Sequence, residues 1–276
     1  MQTIRDLSEL RAWRASVEGT VALVPTMGAL HDGHMALVAE ARARADNVVA
    51  SIFVNPMQFA PTEDLSRYPR REATDAALLK DAGVKVLWAP DVATMYPAGF
   101  ATTVSVAGLG DGLDGASRPG HFDGVATVVA KLFNQVRPDI TVFGEKDWQQ
   151  LAIVRRMTED LDLGVEIIGM PTQRDADGLA LSSRNIYLSE DERRDARMLP
   201  RALGEAASAI GDGGDTAEAL LRARATLEKA GFVVDYVELV GPDLLPTNES
   251  LEGGRLLAAA KVGTTRLIDN LALPSK

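Results

Sequence analysis

The sequence predicts an α/β protein, a Rossmann-like doubly wound parallel sheet followed by a second, smaller α+β domain. Three observations predict it. Short β-branched runs alternate with longer apolar-periodic stretches through the first two thirds of the 276 residues, the pattern of a parallel sheet with helices on both faces. After about residue 172 the alternation stops, and helical stretches precede a cluster of strand-like runs. Finally, segments rich in glycine and polar side chains follow the predicted strands directly, at the edge where open parallel sheets hold ligands.

The elements follow in order. Strands are expected at Val21–Val24, Val48–Val54, Val84–Leu87, Ile140–Phe143 and Val165–Gly169. Helices are expected at Met35–Ala45, Asp75–Ala82, Val125–Val136 and Gln149–Leu161. The glycine-rich segment Gly108–Gly120 reads as a long surface loop. Domain one is placed at 1–172 and domain two at 173–276. The second holds helices over Asp191–Ile210 and Thr216–Ala230, then strands Val233–Val240, Leu256–Val262 and Arg266–Ile268.

Composition bounds the function. Apolar residues make up 46% and charged residues 25%, an ordinary globular mixture. No cysteine occurs, which excludes a disulfide framework, a thiolate zinc site and a catalytic thiol. The formal net charge of −10 disfavours nucleic acid and anionic membrane as partners. The first ten residues carry Arg5, Asp6 and Glu9 and no apolar core of signal-peptide length, and no apolar run suits a membrane span. A cytoplasmic enzyme is expected.

The segment after the first predicted strand is Pro25-Thr26-Met27-Gly28-Ala29-Leu30-His31-Asp32-Gly33-His34. It holds two of the three histidines in the chain. Their i, i+3 spacing lets both imidazoles share one side of a helix N-terminus. Gly28 and Gly33 let backbone approach a bulky anion, which the exposed N–H groups and the helix dipole favour. Imidazole donors there can stabilise a phosphate that gains charge during displacement. Two solvated histidines, or a zinc pair, are the alternatives. The zinc pair lacks a nearby cysteine and has only distant His121 as a third imidazole.

The other strand ends are also polar. Asn55-Pro56-Met57-Gln58-Phe59 follows the second, and Gly144-Glu145-Lys146-Asp147-Trp148-Gln149-Gln150 follows the fourth. Lys146 can hold phosphate oxygens, and Asp147 a ribose hydroxyl or magnesium. Gln58 and Gln150 are neutral amides able to bind a carboxylate or hydroxyls. Beyond the fifth strand lie Arg174 and Asp177 to Asn185. In that stretch Ser182, Ser183 and Arg184 offer two hydroxyls and a fixed cation for β- and γ-phosphates. Each group alone could be a solvated loop. Together at one sheet edge they make a nucleotide site.

The decapeptide from Pro25 to His34 resembles the HxGH signature of the nucleotidylyltransferase superfamily. The wider set is similar to the pantothenate synthetase (pantoate–β-alanine ligase) family: Ser51 to Phe59, Arg118 to Phe122, Phe143 to Gln150, Gly178 to Asn185 and Arg266 to Asn270. The matches run in order from about residue 21 to 270. The resemblance implies that pantoate condenses with β-alanine through a pantoyl-adenylate, with release of pyrophosphate and then AMP. It implies ATP as substrate, magnesium with it, and a homodimer. Met27, Gly28, Ala29, Leu30, His31, Asp32, Gly33 and His34 would line the ATP site, with His34 as proton donor. Gly144, Glu145, Lys146 and Asp147 would bind the nucleotide, Lys146 at phosphate and Asp147 at ribose. Leu181, Ser182, Ser183 and Arg184 would form a flexible phosphate-binding loop, and backbone near Gln173 would meet adenine. His31, His34, Lys146 and Arg184 would be catalytic. Gln58 would contact both pantoate and β-alanine, Gln150 would hold pantoate, and Asn55 would join them in the acyl pocket. His121 has no role assigned. The rival is another HxGH transferase acting on a phosphorylated substrate, which should need more cations than Gln58 and Gln150 supply. A non-catalytic nucleotide-binding module would have no use for both the histidine pair and a second phosphate loop.

Overall fold

The computed structural model describes residues 1–61, 63–249 and 252–273. The elements, in chain order, begin β1 (Gln2–Ile4), α1 (Leu7–Ser16), β2 (Val21–Thr26), α2 (Asp32–Arg44), β3 (Asn47–Ile52), α3 (Glu72–Asp81) and β4 (Val86–Trp88). Next come α4 (Val92–Met95), α5 (Asp114–Ser117), α6 (His121–Val136), β5 (Ile140–Gly144), α7 (Trp148–Asp160) and β6 (Glu166–Met170). The chain closes with α8 (Glu190–Ala196), α9 (Met198–Gly211), α10 (Thr216–Lys229), β7 (Val233–Val240), β8 (Arg255–Val262) and β9 (Thr265–Ala272).

The first compact unit comprises residues 1–111, 118–145 and 149–171. Its six strands are ordered β1-β4-β3-β2-β5-β6, and every pairing is parallel. Succession runs outward from β2 through β3 in one direction and from β5 to β6 in the other. The topological switch therefore falls between β2 and β5, where the loops leaving the strands part to opposite faces and open a crevice. Residues 21 to 24 of β2 are all solvent-inaccessible, because alternate side chains enter opposite packed layers. Ala22 and Val24 join Val38 and Ala41 of α2, Ala50 of β3 and Leu79 of α3 in one core cluster.

The second unit comprises residues 112–117, 146–148 and 172–276, of which 250, 251 and 274–276 lie outside the described residues. It is built on the antiparallel sheet β7-β8-β9. Leu199, Leu203 and Ile210 of α9 and Leu227 of α10 pack against Leu239, Leu256 and Ala258 of the sheet.

Four local expectations change. The single helix over Asp191–Ile210 is two, α8 and α9, meeting at Arg197. Pro200 explains the break: it has no N–H for the carbonyl of Ala196, and is tolerated only in the first turn of a new helix. The Gly108–Gly120 loop contains α5, whose Asp114 is buried against Arg266 and the Tyr236 hydroxyl. The strand at Arg266–Ile268 runs the full length of its partner β8, from 265 to 272. Lastly, β1 and α1 precede the first expected strand. The three residues of β1 are too few to show a period, although Asp6 caps α1 by accepting from the Ser8 and Glu9 N–H groups.

Candidate active site

The decapeptide after β2 sits at the switch point. His31 is the N-cap of α2 and His34 lies in its first turn. Their ring centroids are 4.1 Å apart, so the two imidazoles share one side as their spacing predicts. The His31 backbone N–H donates to His34 Nδ1 at 3.3 Å. Nδ1 therefore carries no proton, and the ring presents Nε2–H as a donor.

The turn that delivers this pair is held from outside. Gly28 has φ 83° and Ala29 φ 51°, a left-handed backbone that costs a non-glycine residue roughly 1–2 kcal/mol. Asp75 of α3 stabilises it. Its buried carboxylate accepts from Ala29 N–H at 2.8 Å and Leu30 N–H at 3.0 Å. The Thr26 hydroxyl, donating to Ser51 O, accepts from Gly28 N–H at 3.1 Å. Met27, Leu30, His31, Gly33 and His34 are half-buried, and Asp32 is exposed.

After β3, Asn55 caps the 3-10 turn Pro56–Gln58. Asn55 is 1% exposed. Its amide donates to Gln58 Oε1 at 3.1 Å and Gly124 O at 3.0 Å, and its oxygen accepts from Met57 N–H and the Tyr96 hydroxyl. All four hydrogen-bonding sites of the side chain are thus occupied inside the protein. Asn55, expected among the substrate contacts, thus lies buried behind Gln58 and bonds its side chain. Burial pushes the Tyr96 hydroxyl well above its ordinary pKa, which keeps it a donor to Asn55. The Gln58 amide donates to Met27 Sδ at 3.2 Å, so this amide and the Met27–His34 loop are in contact.

Gly124 lets α6 and this turn meet. A Cβ at Gly124 would lie 2.4 Å from Met57 O and 2.7 Å from Gln58 N. His121, at the start of the same helix, contacts Gln58 O through Nδ1 at 2.8 Å, while Arg118 Nη1 lies 2.9 Å from its Nε2. Arg118 can only donate, so Nε2 accepts and Nδ1–H donates to the Gln58 carbonyl. Arg118 in turn makes a two-point pair with Glu63, at 2.6 and 2.9 Å. Burial pushes the Glu63 carboxyl up, but the Arg118 hydrogen bonds and charge outweigh it and hold the group below the ordinary carboxylate range. His121 is part of the mount of Gln58.

After β5, Gly144 closes the strand and Glu145–Asp147 form a 3-10 turn leading into α7. Gln150 lies half-buried in the first turn of α7. Its neighbour Gln149 is buried and donates to Leu109 O at 2.8 Å. The first unit thus brings together the Met27–His34 loop, Asn55 and Gln58 by direct contact, and carries Gly144, Glu145 and Gln150 at a neighbouring strand end.

The other expected residues belong to the second unit. Lys146 Nζ lies 3.8 Å from Asp147 Oδ2, and Asn270 donates to the Lys146 carbonyl at 2.8 Å. The segment 173–181 doubles back on itself: Leu181 N–H donates to Gln173 O and Asp175 N–H to Leu179 O, both at 2.9 Å. Gln173 is exposed. Arg174 makes a two-point ion pair with Asp269 at 2.7 and 2.9 Å and also reaches Gly178 O. Leu181, Ser182, Ser183 and Arg184 follow directly, half-buried, with the Ser182 hydroxyl accepting from Arg184 N–H at 3.3 Å.

Sequence reasoning missed Asp75, Tyr96, Gly124, Glu63 and Asp269. Asp269 and the Arg118–Phe122 stretch fall inside the matched motifs, so a signal existed there. Asp75, Tyr96 and Glu63 carry none.

The chain is similar to known proteins over nearly its whole length. A family model described as pantoate-beta-alanine ligase matches residues 1–272. The pantothenate synthetase of Rhizorhabdus wittichii is 63% identical over 278 residues, covering 99% of both chains. That of Sphingopyxis alaskensis is 61% identical over 276 residues, covering 98% of this chain and 99% of its own. Among solved structures, pantothenate synthetase from Thermus thermophilus superposes with a TM-score of 0.95 at 51% identity, covering 100% of both chains. Pantoate-beta-alanine ligase from Francisella tularensis, complexed with beta-gamma ATP and beta-alanine, has a TM-score of 0.86 at 32% identity, covering 100% of this chain and 99% of its own.

Proposed function

This chain belongs to the pantoate–β-alanine ligase family, and on that premise we propose how its residues join pantoate to β-alanine with ATP. In the first step a pantoate carboxylate oxygen attacks the α-phosphorus of ATP. The bond from that phosphorus to its bridging oxygen breaks, pyrophosphate leaves, and pantoyl-adenylate forms. In the second, the β-alanine amine attacks the acyl carbon. The acyl C–O bond breaks, AMP leaves, the amine loses a proton, and pantothenate is released.

Each residue has one task. The α2 N-terminus and His31 stabilise charge on the α-phosphate, with His34 Nε2–H as proton donor. Lys146 and Arg184 hold the oxygens of the departing pyrophosphate, helped by the Ser182 and Ser183 hydroxyls. Asp147 holds the ribose, and backbone near Gln173 the adenine. Gln58 and Gln150 orient pantoate, and Gln58 receives β-alanine. There is no covalent nucleophile in this scheme: rate enhancement comes from orientation and fixed dipoles.

The observation that carries the reading is the contact of Gln58 with Met27, which sets a neutral amide directly beside the phosphate-binding turn. Arg118, which reaches the Gln58 backbone carbonyl, is paired with Glu63. A carboxylate substrate suits such a pocket, whereas a phosphorylated one would call for unpaired cations. Among the described residues no group of three or more histidine or acidic side chains could cage a metal. Magnesium in this proposal therefore arrives on the triphosphate, held by phosphate oxygens and water. No helix among the described residues is long and apolar enough to cross a membrane, and a cytoplasmic homodimer completes the proposal.

Product analysis tests the reaction. Purified protein with ATP, pantoate and β-alanine should yield pantothenate, AMP and pyrophosphate in equal amounts. Pyrophosphate release only with a phosphorylated acceptor, which would take up the AMP, would replace this reading with its rival, and formation of ADP would overturn both.

A further inference from the structure

Two adjacent residues near the end of the chain, Asp269 and Asn270, each hold a different segment of the second unit to which phosphate binding is assigned above. Asp269 is 2% exposed. Its carboxylate takes Arg174 in a two-point pair, and Arg174 also donates to Asn270 O and Gly178 O. Arg174 forms an isolated bridge with Ala180, so the ion pair fixes the base of the doubled-back segment that delivers Leu181 to Arg184. Asn270 is 4% exposed. Its Nδ2 donates to the carbonyl of Lys146 at 2.8 Å and its Oδ1 accepts from Arg255 Nη1 at 2.5 Å. The Arg255 guanidinium lies 3.6 Å from the centre of the Trp148 ring, closing the grip on residues 146–148 from the other side. Asn270 N–H donates to Asp269 Oδ1 at 2.8 Å, which ties the two anchors into one rigid element.

We infer that Asp269 and Asn270 are paired positioning residues that hold Lys146 and the Ser182–Arg184 segment in register for one triphosphate. The inference rests on the phosphate-binding roles proposed for Lys146 and Arg184. Buried outer partners of this kind set the orientation of the residues that touch ligand, and their loss lowers activity by about 10–100-fold. Both anchors lie in β9, whose full pairing with β8 makes a stiff support. A small displacement of either phosphate-binding segment would then weaken the step in which pyrophosphate departs, and leave aminolysis of an adenylate that no longer carries it.

The test uses the two half-reactions of the full-length protein: single-turnover pyrophosphate release with pantoate and ATP, and β-alanine attack on chemically prepared pantoyl-adenylate. Asn270→Asp keeps the shape and the acceptor for Arg255 but removes the donor to Lys146 O. It should slow the first step at least about 10-fold and the second by less than about 3-fold. In a Lys146→Ala background the same substitution should add little to the first-step defect, the non-additivity expected of residues acting through one another. Asp269→Asn should show the same split between steps, so the pair remains testable if one variant does not fold. Equal slowing of both steps, additivity with Lys146→Ala, or loss of folding in both variants would assign the pair to the stability of the unit and overturn the positioning role. Normal adenylation in Lys146→Ala would overturn the proposed role of Lys146, and the positioning role with it. A slow Lys146→Ala beside a normal Asn270→Asp would overturn the positioning role alone.

Discussion

Asp75 of α3 accepts the backbone N–H of Ala29 at 2.8 Å across 46 residues of sequence, and so holds the left-handed turn that leads to His31 and His34. Asp75→Ala leaves the Ala29 and Leu30 N–H groups unpaired, each at about 1–3 kcal/mol. The variant should lose stability on that scale in urea unfolding. It should also slow adenylation, because the histidine pair is no longer aimed. Unchanged adenylation in a folded Asp75→Ala protein would show that the turn keeps its shape without the carboxylate.

In the proposed mechanism the histidines act on charge that develops in the transition state. His31→Ala or His34→Ala should lower adenylate formation at least about 10²-fold, the scale of losing one positioned donor. Neither side chain is in the core, so thermal unfolding should hardly move. Near-normal turnover in both variants would remove the pair from the mechanism.

On the acyl side, Gln58→Ala and Gln150→Ala should raise the KM for pantoate far more than the KM for ATP. Gly124→Ala should do the same without touching substrate, since its Cβ would press on Met57 O and Gln58 N at 2.4 and 2.7 Å and push the turn off α6. Steady-state kinetics with each substrate varied in turn separates the two effects. An increase confined to ATP would mean that the nucleotide and acyl sides are reversed.

The Glu63–Arg118 pair makes part of the stability depend on pH. The Glu63 carboxyl is held below its unfolded value, so the folded state binds its proton less readily than the unfolded chain does. The stabilisation is fully present above the ordinary carboxylate value of about 4.3 and is lost as pH falls through the lower folded value. Glu63→Gln should therefore be less stable than the parent above about pH 5, with the gap closing toward about pH 3. A gap that persists at about pH 3 would place the stabilisation in packing rather than in the ion pair.

How much of this was legible depends on how local each signal is. The parallel sheet could be read because β2, β3 and β5 are buried on both faces and appear as short apolar runs bounded by turn residues. The histidine pair could be read because an N-cap and its first turn are three residues apart. What could not be read depends on distant partners. Asp75 looks like any acidic residue in a first helical turn until it meets Ala29. Tyr96 reaches Asn55 across 41 residues, and Asn55 reaches Gly124 across 69. Arg174 reads as a cation beyond a strand, but its partner Asp269 stands 95 residues away. Nor does any local pattern show that residues 112–117 and 146–148 cluster with the second unit.

The central claim is that this chain activates a carboxylate as an adenylate before the amine takes part. Rapid mixing of enzyme with ATP and radiolabelled pantoate, without β-alanine, followed by acid quench tests it directly. The expected result is a burst of pyrophosphate and of pantoyl-adenylate, each at about one per active site, and decay of the adenylate to pantothenate and AMP when β-alanine is added. Absence of pyrophosphate until β-alanine is present, with no acyl-adenylate in the quench, would contradict it.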